Sequence, residues 1–166
     1  VIHEQNSVAG LTNKILAKLA DRIFLGFPGA IQGDQDKTVC SGNPVRAEIA
    51  HIEAPEKRFQ ERQGKLNVLV VGGSLGAQVL NTVVPQALKL MPENVRPAVV
   101  HQTGTAQMET VKTAYRELQL DGEVTAFIDD MAKRYADCDV VLCRAGALTI
   151  AELSAAGVAS ILVPYP

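Results

Sequence analysis

The stretch Leu66-Asn-Val-Leu-Val-Val-Gly-Gly-Ser-Leu-Gly-Ala77 constrains this chain more than any other. Val68 to Val71 form an apolar run without polar alternation, the pattern of a parallel strand covered on both faces. Gly72, Gly73 and Gly76 follow at once. Lacking a Cβ, they let the backbone turn tightly and approach a ligand closely. Helical periodicity then runs over Ala77–Leu90, and the free amides and dipole at its start favour an anion at the turn. Ser74 adds a hydroxyl at the same place. Strand, glycine turn and helix in that order describe a phosphate cradle, although the same turn also occurs in doubly wound folds with no ligand. A dinucleotide site wants a carboxylate at the end of the following strand. Here that strand is Ala98-Val-Val, followed by His101 and Gln102, so a nicotinamide or flavin cofactor is disfavoured.

From Leu66 onward the pattern alternates regularly. Strands are expected at Leu66–Val71, Arg96–His101, Glu123–Phe127, Asp139–Cys143 and Ser160–Val163. Helices are expected between them at Ala77–Leu90, Ala106–Leu118, Met131–Ala136 and Leu148–Ala156. Such alternation with short loops means an α/β fold with a parallel sheet and helices on both faces. Ahead of it, Val1 and Ile2 read as a strand end and His3–Ser7 as a polar loop. A helix is expected over Leu11–Ala20, with strands at Arg22–Leu25 and Thr38–Cys40. Lys14, Lys18 and Arg22 recur every four residues as a basic helical face, ordinarily a solvated one. The turn cluster Ser41-Gly-Asn-Pro-Val-Arg46 places a domain boundary near residues 42–46. Beyond it, Ala47–Gly64 is polar, with a helix expected around Glu56–Arg62.

Composition excludes several classes. A net charge of −2 over 166 residues leaves no basic surplus to neutralise a nucleic acid. No apolar stretch approaches the roughly 18 residues that span a bilayer. Cys40, Cys138 and Cys143 form no C-x-x-C pair and have no histidine cluster beside them, so they read as buried thiols in a reducing compartment rather than disulfides or zinc ligands. The chain opens on Val1-Ile2 without Met or a signal peptide and closes just after a strand, as the middle of a longer protein would.

In open α/β sheets ligands sit beyond the carboxyl ends of the strands. Three further polar clusters fall at such positions. In Phe127-Ile-Asp-Asp-Met131, Asp129 or Asp130 suits a helix cap, and the Ile128 backbone can offer a donor and an acceptor to a planar ring such as uracil. In Arg144-Ala-Gly-Ala-Leu-Thr-Ile-Ala-Glu152, Gly146 precedes a helix N-terminus, a second anion site in which the Thr149 hydroxyl can join. Glu152 has lone pairs for both hydroxyls of a ribose diol, while Thr149-x-x-Glu152 equally fits a capping box. Arg46, at the domain junction, carries a fixed charge able to meet a diphosphate or a base. Together these groups describe a nucleoside diphosphate site without an obvious nucleophile.

Five ordered motifs carry a resemblance: His3-Glu-Gln-Asn6 with Ala9-Gly-Leu-Thr-Asn13, Gly42-Asn-Pro-Val-Arg46, Gly72-Gly-Ser-x-Gly-Ala77, Phe127-Ile-Asp-Asp-Met131 and Arg144-Ala-Gly-Ala-Leu-Thr149. Over nearly its whole length the chain resembles the MurG family, the UDP-N-acetylglucosamine transferases that convert lipid I to lipid II in peptidoglycan synthesis. The resemblance implies a GT-B fold of two Rossmann-like parallel-sheet domains, here the end of the first and most of the second. Residues 1–45 would close the acceptor-binding domain, and residues 46–166 would form the UDP-sugar domain, truncated at its C-terminal end. It puts contacts to UDP-N-acetylglucosamine on Asn6, Arg46, Ser74, Ile128, Ala147, Leu148, Thr149, Ile150, Ala151 and Glu152. Gly72, Gly73 and Gly76 would form the phosphate loop. The implied reaction is inverting transfer to the muramyl 4-hydroxyl of lipid I, with no cofactor and no side-chain metal ligands. The enzyme would be peripheral, on an anionic membrane surface at the cytoplasmic face of the bacterial inner membrane. Leu75 stands where the family commonly has Gln. The family's candidate base, a histidine in an N-terminal glycine-rich loop, is expected before Val1 and a sugar-reading glutamine pair after Pro166, so neither His3 nor Glu4 is assigned as base. The segment alone is expected to transfer no sugar. The rivals are a nucleotide-sugar-binding module without chemistry and another GT-B enzyme, such as a UDP-sugar epimerase.

Overall fold

The computed structural model describes residues 1–32, 35–60, 62–72 and 77–164. The chain divides into two compact units, Val1–Arg46 with Gly146–Glu152, and Ala47–Ala145 with Leu153–Pro166.

The first unit is built on three short parallel strands, β1 (Ile2–Glu4), β2 (Ile23–Leu25) and β3 (Thr38–Cys40), in that order. Ile2 pairs with Ile23, and Ile23 with Thr38. The strand at the start therefore runs two residues further than its apolar pair suggests. His3 and Glu4 belong to the sheet because their backbone pairs with Phe24 and Leu25. Helix α1 (Leu11–Leu16) buries none of its own residues; just past its end Ala17 joins Ile23, Leu25 and Ala30 in a small core, with Ile2, Ala20 and Ile31 packed against it. The helix is shorter than Leu11–Ala20. After Leu16 the amides of Lys18 and Leu19 reach back three residues, to Ile15 and Leu16, and this tighter turn ends the α-helix. The basic stripe is consequently not one helical face. Arg22 lies beyond the helix and donates to the Asp36 carbonyl at 3.0 Å. Lys14 and Lys18, with Lys37, instead line a cavity of about 600 Å³. Cys40 is exposed on β3, an edge strand among the described residues, and so is not a buried thiol; Cys138 and Cys143 are buried.

In the second unit, α2 (Ala47–Ala50) and α3 (Pro55–Arg58) precede the alternating region. That region contains β4 (Asn67–Val71), α4 (Gln78–Leu90), β5 (Ala98–Gln102), α5 (Met108–Glu117) and β6 (Glu123–Thr125). It continues with α6 (Met131–Asp137), β7 (Val140–Arg144), α7 (Ala147–Ala156) and β8 (Ala159–Val163). The first six residues of α7 group with the first unit. The five strands are parallel, in the order β6-β5-β4-β7-β8. The chain builds outward from β4 to β6 and then returns to lay β7 on β4's other side. Right-handed crossovers then put α4 and α5 on one face and α6 and α7 on the other. The α4–α5 face holds the main core: Leu80, Val84 and Leu88 from α4 and Val111 and Tyr115 from α5, over Val70 and Val99. The order reverses between β4 and β7, the position at which such sheets open a crevice at their carboxyl edge.

Two arginines tie the loop region before β4 to this body. Arg58 donates to the carbonyls of Tyr135 and Gly157 at 3.1 and 3.3 Å, and also to that of Ala156. Arg62 donates to the Ala136 and Asp137 carbonyls and to Asp139 Oδ1, each at 2.8 Å. Cations thus meet the carbonyl ends of α6 and α7, where the helix dipole favours them. Gly157, at φ +60°, closes α7 against Pro55; a Cβ there would lie 2.5 Å from the proline Cγ.

Candidate nucleotide-sugar site

At the carboxyl edge of β4 the ladder continues one residue past the strand, with the Gly72 amide donating to the Gln102 carbonyl at 3.1 Å. Gly73, Ser74, Leu75 and Gly76 lie outside the described residues. Ala77, just before α4, is extended and buried.

Between α4, β5 and α5 runs a buried polar chain that no local pattern in the sequence announces. Asn81, in the first turn of α4, donates through Nδ2 to the Thr103 carbonyl at 3.0 Å. That bond fixes the amide's orientation and turns Oδ1 toward His101 Nε2, 3.1 Å away. Oδ1 can only accept, so Nε2 carries the proton, and Nδ1 accepts from the Tyr115 hydroxyl at 3.2 Å. Burial pushes His101 down to about 4 and pushes the Tyr115 phenol well above its ordinary range, so the chain is neutral at physiological pH. Neighbouring Gln102 is 2% exposed, and among the described residues its Oε1 has no hydrogen-bond partner.

The edge of β6 is carried forward by β5: Thr103 and Gly104 donate to the Thr125 and Ala126 carbonyls at 2.9 and 3.1 Å. This carries the pairing as far as Ala126, two residues before Ile128. Ile128 is buried, and among the described residues no hydrogen bond uses its amide or its carbonyl. Asp130 then caps α6, its Oδ1 accepting from the Lys133 amide at 2.9 Å. Of the two aspartates weighed for that cap, Asp130 makes it.

Helix α7 begins at Ala147, directly after Gly146. Thr149 is therefore the third helical residue and cannot be the N-cap of a capping box with Glu152; that reading fails on position. Glu152 instead takes the Arg46 guanidinium, Nε to Oε1 at 2.8 Å and Nη2 to Oε2 at 3.1 Å. The pair unites the residue assigned to the diphosphate or base with the one assigned to the ribose.

Asn6 lies in the first unit, exposed, just past β1. It donates both its amide and its side-chain nitrogen to Glu4 Oε1 at 2.9 and 3.1 Å. Nearby, Asn43 donates to the Gln5 carbonyl at 2.9 Å, and His3 Nε2 lies 3.3 Å from the Gly42 carbonyl. Gly26 is needed here because a Cβ would fall 2.2 Å from Asn43 Oδ1. Among the described residues no His, Cys, Asp and Glu side chains cluster as a metal site, and no helix is long and apolar enough to cross a membrane.

A parallel α/β body with polar groups gathered at its carboxyl strand edge is the architecture of nucleotide-sugar transferases of the GT-B type. Residues 67–166 match the glycosyltransferase family 28 C-terminal domain, the second Rossmann-like domain of such enzymes, and the chain belongs to that family. It is 61% identical, over all 166 residues, to the UDP-N-acetylglucosamine–N-acetylmuramyl-(pentapeptide) pyrophosphoryl-undecaprenol N-acetylglucosamine transferase of Nitrosomonas europaea, covering 46% of that protein. The enzyme of the same name from Marinobacter nauticus is 54% identical over the same span, again with 46% of its length covered. The crystal structure of Acinetobacter baumannii MurG superposes with a TM-score of 0.79 at 38% identity, over 99% of this chain and 45% of that one. The chain thus spans about half the length of the curated relatives it matches.

Proposed function

We propose that this chain is part of an inverting glycosyltransferase that moves N-acetylglucosamine from UDP-N-acetylglucosamine to lipid I, forming lipid II. The observation that carries this reading is the whole-chain match to transferases of that name, with every motif of the candidate site inside the matched span. In this reading residues 1–45 close the acceptor-binding domain and residues 46–166 belong to the UDP-sugar domain. Ile128 presents its amide and carbonyl to uracil, Glu152 accepts from the ribose diol, and Ser74 with Gly72, Gly73 and Gly76 faces the diphosphate. Ala147, Leu148, Thr149, Ile150 and Ala151 supply the helix-start amides and hydroxyl near it, and Asn6 is a further contact to the donor.

The acceptor's 4-hydroxyl attacks the sugar C1, the C1–O bond to the β-phosphate breaks, and the configuration inverts as UDP leaves. Charge building on the leaving diphosphate is met by Arg46 and by amides at helix starts, oriented before the reaction begins. The base is not assigned to this segment: Glu4 has both oxygens engaged by four donors, and His3 already faces a backbone carbonyl. Lys14 and Lys18 meet an anionic membrane surface at the cytoplasmic face of the inner membrane, where the lipid-linked acceptor lies.

Labelled N-acetylglucosamine transfer from its UDP derivative to a lipid I analogue, catalysed by the complete reading frame carrying these 166 residues, tests the proposal. UDP should compete, and ADP and GDP should not. Absence of transfer, or equal competition by all three nucleotides, would overturn the reading.

A further inference from the structure

Glu4 ends β1 with a side chain that is 2% exposed, and no ion pair among the described residues involves it. Four neutral donors surround it instead. Oε1 accepts from the Asn6 amide and Asn6 Nδ2, at 2.9 and 3.1 Å. Oε2 accepts from the Gly10 amide and Asn13 Nδ2, at 3.2 and 2.9 Å. Asn13 also donates to the His3 carbonyl at 3.2 Å. One carboxylate therefore ties the strand end, the loop after it and the first turn of α1 into a single unit. Burial by itself would raise the Glu4 pKa, but the four hydrogen bonds outweigh it and hold the group below the usual carboxylate range.

The geometry also orients Asn6. A carboxylate oxygen can only accept, so the Asn6 amide must turn its nitrogen inward. Among the described residues nothing else bonds its Oδ1 or its second Nδ2 hydrogen, and the exposed loop leaves them for a ligand. We propose that Glu4 is a positioning residue for the donor site: through Asn6 it presents a hydrogen-bond acceptor to a hydroxyl or amide N–H of the nucleotide sugar. This rests on the reading above, in which Asn6 touches UDP-N-acetylglucosamine. The four donors also suit a glutamate and not a glutamine. A glutamine of the same shape would turn an NH2 toward two of the four donors, losing two bonds and setting like groups against each other.

The test is a double-mutant cycle on the KM for UDP-N-acetylglucosamine in the complete reading frame. Asn6→Ala should raise that KM about tenfold, the equivalent of one good hydrogen bond. Glu4→Gln should raise it as much, with kcat changed far less, and should add nothing in the Asn6→Ala background. Asn13→Ala removes one of the four donors and serves if Glu4→Gln does not fold. It should raise the donor KM a few-fold, again only when Asn6 is present. If Asn6→Ala leaves the donor KM unchanged, the assignment of Asn6 fails, and the proposal with it. If Asn6→Ala raises the KM but Glu4→Gln and Asn13→Ala multiply with it, the Asn6 assignment stands and the positioning role is refuted.

Discussion

Arg46 grips Glu152 by two parallel bonds, Nε–Oε1 at 2.8 Å and Nη2–Oε2 at 3.1 Å, across 106 positions of sequence. The carboxylate side chain is 17% exposed and the guanidinium side chain 46%. Only a planar guanidinium can make this side-on grip; an ammonium keeps the charge and loses the geometry. Arg46→Lys should therefore weaken UDP binding by about 1–2 kcal/mol. The loss should shrink when Glu152 is already alanine, because the two side chains share one interaction. Calorimetric titration of UDP into the two single variants and the double variant measures this, and fully additive losses would show that Arg46 and Glu152 act separately.

The buried chain Tyr115–His101–Asn81 predicts how stability depends on pH. His101 sits near 4 in the fold against 6.5 for a free histidine, so the unfolded chain binds the proton more readily. Its contribution is complete above the unfolded value and is lost as pH falls from there toward the folded value, at no more than about 1.4 kcal/mol per pH unit. His101→Gln should lower stability at neutral pH and flatten this part of the profile. Urea unfolding from pH 7 down to 4 checks it; an unchanged slope would mean that other groups set the acid response.

The turn just past the C-cap of α5 holds a residue in a left-handed conformation. Gln119 has φ of 54°, while the Leu120 amide closes on the Tyr115 carbonyl at 2.9 Å. Glycine adopts that conformation without the Cβ clash. Gln119→Gly should stabilise the protein by about 1 kcal/mol. A lower denaturation midpoint would contradict the strain reading.

Lys14 and Lys18 remain near one another although Arg22 does not continue their row. Each exposed cation is worth about 1 kcal/mol at an anionic leaflet. Reversing both charges should reduce binding of the complete protein to phosphatidylglycerol vesicles, and added salt should do the same. Binding indifferent to both would return these lysines to an ordinary solvated surface.

The parts of the fold that show in the sequence are those whose cause is local. Val68–Val71 reads as a covered strand because both its faces are apolar, and the glycines after it mark its end. Asp129 or Asp130 reads as a cap because the pair directly precedes Met131, and the structure selects Asp130. Helix α2 is a single turn, Ala47–Ala50, too short to show a period. The basic row misleads because spacing by four assumes a helix, and α1 stops at Leu16. The Glu4 network is hidden for a different reason. Glu4 and Asn6 look like part of a polar loop and Asn13 like a polar position on a helix, and nothing local tells that one carboxylate joins them. Arg46 and Glu152 each suggest an anion or diol partner, but nothing local tells that they meet.

The central claim is that Glu152 reads the ribose of a uridine diphosphate, and the most direct measurement compares UDP with 2′,3′-dideoxy-UDP on the wild-type protein and on Glu152→Ala. Removing the carboxylate should cost UDP about 1–3 kcal/mol of binding free energy, as expected for charged hydrogen bonds. The dideoxy ligand, which has no diol to offer, should lose far less. Equal losses for the two ligands would contradict the account, because Glu152 would then act only through its pairing with Arg46.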